Sequence, residues 1–501
     1  MKNPWTLVIH DVGTDYVNVW VGTLDENLGQ PEQCFVDVFE TTNVPEITGQ
    51  EPKAVPQIVI TKDQWERPFT TLPQRFFKLV HISGLSAGKA YEVLFSRTLL
   101  PSENEHSSAH KLAFGQFTTL PSELPSSPQK PFVVAIGSCY YNDDDHGKAA
   151  NAYAHLYHHG SPESRPDVKF FTGDQVYLDI GLDSLSPVLK EVRERIANDY
   201  RSSWKLNRKM YRLGANWFLP DDHEYWNNFP FAKGISPYLW MITANKKVRA
   251  TWKATAKDGI ERVQQVSPIR TFNLGHDLSF CVADLRSNRS ADKKASRMMQ
   301  EEDFEALEQW ASTLTCPGVL VLPQPLIVQP GGSQDFNLAN YKRHYKRLLQ
   351  ALAESGNDIM LLTGDVHYGR LSKVALGNKG STFYEVISSP LSNLTGIDGK
   401  VAASVVEFQT KFPAIDVPNV PKMDVDTDKK WTVSTEKISY WWDIIGKAGY
   451  TKTREHFMTL GYIKESGHVK VTINAWRIRT RSGKPQKEFD QPVVFTLKSN
   501  T

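Results

Sequence analysis

Four apolar runs in this 501-residue chain each break off in residue types that bind metal ions: FVVAIGSC at 132–139, KFFTGDQVY at 169–177, NWFLPDDHE at 216–224 and IMLLTGDVH at 359–367. Cys139, Asp174, Tyr177, Asp222, His223, Asp365 and His367 are the side chains so presented. A carboxylate at a strand tip can bridge two cations, and a side chain three residues later in a tight turn returns to the same side, which pairs Tyr177 with Asp174. A phenol titrates near pH ~10 and ligates at neutral pH only to a strong Lewis acid, so it suits iron(III) better than zinc. With Cys139 as thiolate, these three anions beside a neutral His367 match a trivalent ion. Asp222, Asp365, the shared Asp174 and an amide from Asn227 or Asn228 instead make an all-oxygen site, suited to calcium, magnesium or manganese. The pattern predicts a metal-dependent hydrolase.

Each cluster alone is an ordinary turn: Asp222 and His223 a capped loop, Asp174 a turn residue. Their recurrence favours the metal reading, since independent turns would seldom sample only Cys, Asp, Tyr and His. A short run of Val, Ile, Leu and Phe ending in Gly, Asp or Pro reads as a buried strand entering a loop, and ligand sites in layered α/β proteins collect at strand ends. Two other acidic groups fit less well. Asp424, Asp426 and Asp428 imitate a calcium loop, but Lys429 stands where its sharp turn needs Gly and Thr435 where it needs Glu. The DDDH at 143–146 reads as a solvated helix start, its carboxylates favoured by the helix dipole.

The elements around these motifs fall into two parts. Over residues 1–122, short alternating runs (YVNVWVG, CFVDVFE, QIVIT, RFFKLVHI, YEVLFSR) separated by Gly, Pro and Asn predict an N-terminal immunoglobulin- or fibronectin III-like β-sandwich. PSELPSSPQK at 121–130 reads as a linker. Strands then alternate with helical periods at HGKAANAYAHLYHH, SPVLKEVRERIANDYRSSW, EEDFEALEQWASTL and NYKRHYKRLLQALAES, so residues 131–501 read as an α/β (α+β) unit. Strand patterns return beyond Arg454, too few for a sheet of their own, and are expected to complete the sheets of this unit. The Pro- and Asp-rich 411–431 reads as a surface excursion, with Trp431, Trp441 and Trp442 packing it down or rimming a cleft.

Composition narrows the partners. Lys and Arg total 58 against 56 for Asp and Glu, so no overall field draws the chain to nucleic acid or a membrane. The longest uncharged stretch, 311–334, carries four prolines and cannot be a membrane span. Cys34, Cys281 and Cys316 read as small buried apolar residues rather than a disulfide framework. The amino terminus shows no secretory or twin-arginine signal, which reads as cytoplasmic.

In order, GSC, GDQVYLD, PDDHEYWNN, ADLRSNR and LTGDVHYG make the chain resemble the PhoD-type alkaline phosphatases, a branch of the calcineurin-like metallophosphatases, over about 131–394. The resemblance implies a β-sandwich followed by a four-layer α/β/β/α core with a dinuclear centre of iron(III) and calcium. By matching motif it implies Cys139, Asp174, Tyr177, Asp222, Asn228, Asp365 and His367 as metal ligands, with Asp174 bridging. It places Arg286 in a segment whose arginine contacts phosphate or forms an internal ion pair. Family members are typically exported through a twin-arginine signal, and its absence here leaves manganese or magnesium as alternatives for the second metal.

The expected activity is hydrolysis of a small phosphate ester, monoester or diester, with water activated between two cations. His223 is expected to touch substrate, steadying the transferring group or protonating the leaving oxygen, while Asp174 holds the metals. The alternative is a binding protein, with a recognition sandwich and an inactive metal core.

Overall fold

The computed structural model describes residues 3–41, 57–98, 109–232, 237–292, 294, 296–331, 336–377, 379–393, 410–431, 437–438, 450–451, 455–480 and 482–499. Trp441 and Trp442 lie outside these, as does the side chain of Trp431.

The first seven strands form two facing sheets. One contains β1 (Thr6–Val12), β2 (Tyr16–Thr23) and β5 (Phe76–Ser83) in the order β1-β2-β5; the other contains β3 (Gln33–Glu40), β4 (Ile58–Thr61), β6 (Ala90–Thr98) and β7 (Ala109–Thr118) in the order β4-β3-β6-β7. Every pairing within them is antiparallel. Alternation follows from the pleat: Val36, Val38, Val93 and Phe95 point inward to meet Val17, Val19 and Val21 of the opposing sheet.

Two seven-stranded sheets make the rest. In the first, β8 (Phe132–Gly137), β9 (Val168–Thr172) and β10 (Ala215–Leu219) are parallel, and β22 (His456–Glu465) lies antiparallel on the other edge of β8. Beyond it come β23 (His468–Arg477), β24 (Gln486–Lys487) and β25 (Val493–Leu497). The second runs β11-β12-β13-β14-β16-β15-β19, from β11 (Ile269–Leu274), β12 (Leu278–Ala283), β13 (Gly318–Val321), β14 (Ile359–Thr363), β15 (Gly369–Leu376), β16 (Ser381–Ile387) and β19 (Asp426–Trp431). Its β12, β13, β14 and β16 are parallel.

Strands buried on both faces sort their side chains by parity. Val134, Ile136, Phe170, Phe280, Val319, Val321, Met360 and Leu362 fill the space between the sheets. Ala135 and Phe171 face α2 (Lys148–His159), α3 (Leu189–Tyr211) and α5 (Lys246–Asp258). Cys281, Leu320 and Leu361 face α6 (Glu301–Ser312) and α7 (Lys342–Ser355). The layers are therefore helix, sheet, sheet, helix. Cys34, Cys281 and Cys316 are buried and free.

The sandwich is packed hard against this body. Trp20 and Phe77 share a core with α3 and α5, Trp20 Nε1 donates to Arg262 O at 3.0 Å, and Asn216 Nδ2 of β10 donates to Ile9 O at 2.5 Å. His10 is buried against Phe218, ring centroids 5.7 Å apart.

One sequence expectation needs correction, and one helix was not foreseen. Part of 411–431 is core rather than excursion: Phe412, Val417 and Val420 bury against the α6–α7 layer, and β19 extends the second sheet by pairing with β15. These three apolar residues, spaced by prolines, carried no period from which to read this. Helix α5 was also not expected, because its interior mixes Lys and Arg with few apolar residues, of which Val248, Trp252 and Ala256 are buried. Among the described residues no helix is long and apolar enough to cross a membrane.

Candidate metal centre

The motif residues sit just beyond the carboxyl ends of parallel strands. Cys139 follows β8, Asp174 and Tyr177 follow β9, Asp222 and His223 follow β10, and Asp365 and His367 follow β14 of the facing sheet. The strand ends meet closely at Gly364, where a Cβ would stand 2.4 Å from both Ser138 Oγ and Thr172 Oγ1.

The turns are sharp enough to drive the backbone left-handed. Nine non-glycine described residues have positive φ, and five of these are Cys139 (55°), Asp174 (58°), Asn228 (63°), Asp365 (69°) and His367 (52°). Each such residue costs about 1–3 kcal/mol and persists only where its surroundings over-determine it. Here they do. Glu224, fully buried, accepts from the backbone N–H of Asp174 (2.8 Å), Gln175 (2.5 Å) and Asp221 (2.9 Å). Ser138 Oγ accepts from Asp365 N at 3.2 Å, Ser389 Oγ from His367 N at 3.0 Å, and Asp222 Oδ2 from Asn228 N at 2.6 Å.

Two donor sets result, and Asp174 belongs to both. One ligand atom each from Cys139, Asp174 and His367 lie within 4.8 Å of one another, as do carboxylate oxygens of Asp174, Asp221, Asp222 and Asp365. The Tyr177 hydroxyl completes the first, 3.5 Å from His367 Nε2. Cys139 Sγ stands 3.5 Å from Asp174 Oδ2 and accepts from Ser389 Oγ at 3.2 Å. The His367 ring is turned by Asn393, whose Oδ1 is 2.9 Å from Nδ1, leaving Nε2 toward the set. In the second, Asp222 Oδ1 is buried with no hydrogen bond among the described residues, and Arg286 Nη2 stands 3.8 Å from it.

Charge is the defining strain. Burial, reinforced by the neighbouring carboxylates, pushes the titrations of Cys139, Asp174, Tyr177 and Asp365 well above their ordinary ranges. Burial likewise opposes ionisation of Asp222, but Arg286 and His223 outweigh it and hold that group below its usual value. For His223 burial disfavours the charged form, yet Asp179 and Asp174 overcome it and raise the imidazole well above its ordinary range. His367 goes the other way, burial lowering it to about 4, so it is neutral and fit to ligate. A cation among four groups that otherwise retain protons reverses their balance, which is the chemistry such a donor set fits.

Seven of the nine expected site side chains therefore converge, while Arg286 takes the ion-pair role that was one of its two expected ones and Asn228 turns its backbone to the centre. Arg286 is buried and pairs with both Asp221 oxygens (Nη2 to Oδ2, 2.8 Å), while Nη1 donates to Phe229 O at 2.7 Å. It is spent on an internal ion pair rather than presented to a phosphate. Asn228 joins through its backbone; its side-chain amide makes no hydrogen bond among the described residues. The acidic decoys are accounted for by lysines and a cap: Lys373 with Asp426 and Asp428, Lys411 with Asp424, and Asp145 accepting from Tyr140 Oη (3.0 Å) and Ala149 N (3.1 Å).

The residues sequence reasoning missed are those that orient. Asp179 accepts from His223 Nδ1 at 2.6 Å and from Asn227 N at 2.8 Å; Gln324 Nε2 donates to Asp365 Oδ2 at 2.8 Å. Asp179 was readable as the last residue of GDQVYLD. Gln324, Ser389 and Asn393 follow other strands with no ligand type to mark them.

No protein-family model matches the chain, and no curated protein matches it either. Among solved structures, one described as "Structure of PhoD" matches at a TM-score of 0.54 and 16% identity, covering 97% of this chain and 91% of that one. A glycosyl hydrolase family 2 member from Bacteroides cellulosilyticus matches at a TM-score of 0.23 and 10% identity over 72% of this chain and 37% of its own, too distant to carry an argument. The chain thus has a PhoD-like mixed α/β fold with β-sandwich parts.

Proposed function

We propose that the chain is a metal-dependent phosphoric ester hydrolase, a phosphomonoesterase or phosphodiesterase of the PhoD-like metallophosphatase type. One observation carries this reading: two chemically different donor sets share a single carboxylate, Asp174. The set with thiol, phenol and imidazole suits iron(III); the all-carboxylate set suits calcium, or manganese or magnesium in its place, with the Asn228 amide as a further ligand. Of the carboxylates in the second set, Asp221 is taken up by Arg286, which leaves Asp222 and Asp365 as ligands. When bound, the two cations supply Lewis acidity that lowers the pKa of water and neutralises charge on phosphoryl oxygens.

The chain supplies the rest. His223 lies within reach of Asp174 and Asp222, and with Nδ1 held by Asp179 its remaining ring nitrogen is available to a substrate oxygen. Held charged, it can stabilise the transferring group or give its proton to the leaving oxygen. Small esters fit a deeply set centre better than a polymer, and the balanced charge offers no long basic track.

The test is p-nitrophenyl phosphate against its bis-ester, across pH, with added iron, calcium or manganese and with a chelator. We expect alkaline-optimum hydrolysis that the chelator abolishes, monoester activity accompanying or exceeding diester activity. Metal-loaded protein that cleaves neither ester would overturn the reading and leave a binding module with an inactive core.

A further inference from the structure

Residues 388–393, which follow β16, touch both the thiol and the imidazole of the first donor set. Ser389 Oγ donates to Cys139 Sγ and accepts from His367 N. Ser392 N donates to Cys139 O at 3.1 Å, and Leu391 N to Ser138 O at 2.8 Å. Asn393 Oδ1 faces His367 Nδ1. An acceptor at that nitrogen keeps the proton on Nδ1 and the lone pair on Nε2, which is the tautomer able to ligate.

What holds this stretch comes from the far end of the chain. Glu455 precedes β22 and Arg479 follows β23, and Ile478 N, donating to Glu455 O at 3.0 Å, joins the two ends of that hairpin. Buried Glu455 accepts from Asn393 N through Oε1 at 3.0 Å and pairs through Oε2 with Arg479 Nε. Half-buried Arg479 also donates from Nη2 to Ser392 Oγ at 3.0 Å, and His456 N donates to Pro390 O at 3.0 Å. A buried carboxylate keeps its charge only beside such a partner, and removing one member of the pair leaves the other uncompensated. In the second donor set, Asp222 and Asp365 are bonded instead to Asn228 N, Gln324 and Ser138.

We propose that Glu455 and Arg479 are positioning residues for the thiol–imidazole set. Together they fix residues 392 and 393, and through them the Cys139 backbone and the His367 ring, so the C-terminal hairpin governs how tightly this set holds a metal. The inference rests on the proposed metal use of that set.

The test is titration of the chelator-treated full chain with cobalt(II), whose thiolate absorption band reports ligation by Cys139 and is silent for an all-oxygen site. Glu455→Ala and Arg479→Ala are each expected to weaken the cobalt binding read from this band by roughly 10–100-fold. Arg479→Lys, which keeps the charge, should recover part of the loss. The double variant Glu455→Ala/Arg479→Ala should lose no more than Glu455→Ala alone, as for two residues acting through one contact. Circular dichroism checks folding, and Glu455→Gln, close in volume, replaces Glu455→Ala if that variant is unfolded; it too should bind cobalt more weakly. Folded variants that bind cobalt as tightly as the parent overturn the positioning role and leave the donor set standing. A parent protein without the thiolate band overturns both the donor set and the role given to the pair. The expected losses in a protein that cleaves no ester support the pair's role and remove the hydrolase reading alone.

Discussion

Asp174 is the residue through which both donor sets pass, so its loss should be felt twice. Asp174→Asn is expected to release both metals and lower kcat/KM by roughly three orders of magnitude or more, read by elemental analysis beside a p-nitrophenyl phosphate assay. Tyr177 offers a test with an optical readout. A phenolate and a thiolate on iron(III) give a visible charge-transfer band, and Tyr177→Phe should shift or bleach it while the fold is kept; a colourless, iron-free protein with full activity would refute the assignment. Asp179→Asn should retain both metals but lower kcat by roughly 10–100-fold, because it acts through His223. At this scale the sequence showed the ligand types plainly, because Cys, Asp, Tyr and His rarely recur after apolar runs by chance. It did not show how the other side chains are deployed. Arg286 reads equally as a phosphate contact or an ion pair until Asp221 is seen beside it.

At the scale of elements, the centre depends on three strand ends closing without a gap. Gly364 is the point of closure, and Gly364→Ala forces a methyl group against Ser138 and Thr172. Overpacking of this kind costs about 1–3 kcal/mol, and here we expect it to fall on the loops that hold Cys139, Asp174 and Asp365. The expected result is a lower denaturation midpoint with reduced metal content at fixed metal concentration. A variant with normal metal content would show that the strand ends tolerate separation. Periodicity found β8, β9, β10 and β14 and four of the helices because a strand or helix buried along its length repeats its apolar residues. It could not find β19, DTDKKW, which is an edge strand specified by its pairing with β15 rather than by its own composition.

For the whole molecule, the join between sandwich and body has a pH signature. Burial, aided by the charge of Arg270, lowers His10 to about 3, and neither ring nitrogen is hydrogen-bonded among the described residues. The folded state thus keeps this imidazole neutral, while the unfolded chain takes up a proton below about pH 6.5. The stability it contributes is complete above the unfolded value and lost as pH falls from there toward the folded one, at about 1.4 kcal/mol for each pH unit. His10→Leu should therefore flatten the decline in unfolding free energy, read from urea titrations, between pH 7 and 5 relative to the parent protein, by about 2 kcal/mol. An unchanged slope would mean that His10 is not neutral in the fold. The two-part organisation was legible in the change from alternating runs to strands mixed with helical periods. The closeness of the join was not, since Trp20, Phe77 and Asn216 look like ordinary strand residues until their partners are known.

The pairing of β22 with β8 has a consequence for how the protein is made. Strand β8 ends at the residues that lead to Cys139, yet its second edge is occupied by a strand that begins at His456. At translation speeds of about 5–20 residues per second, roughly ten to fifty seconds separate the emergence of β10 from that of β22. During that interval the nascent chain presents a sheet edge of bare amides and apolar side chains, a template for association with neighbouring chains. On the proposed metal chemistry, a cation offered that early would meet cysteine, tyrosine and aspartate on loops whose supporting sheet is still unfinished.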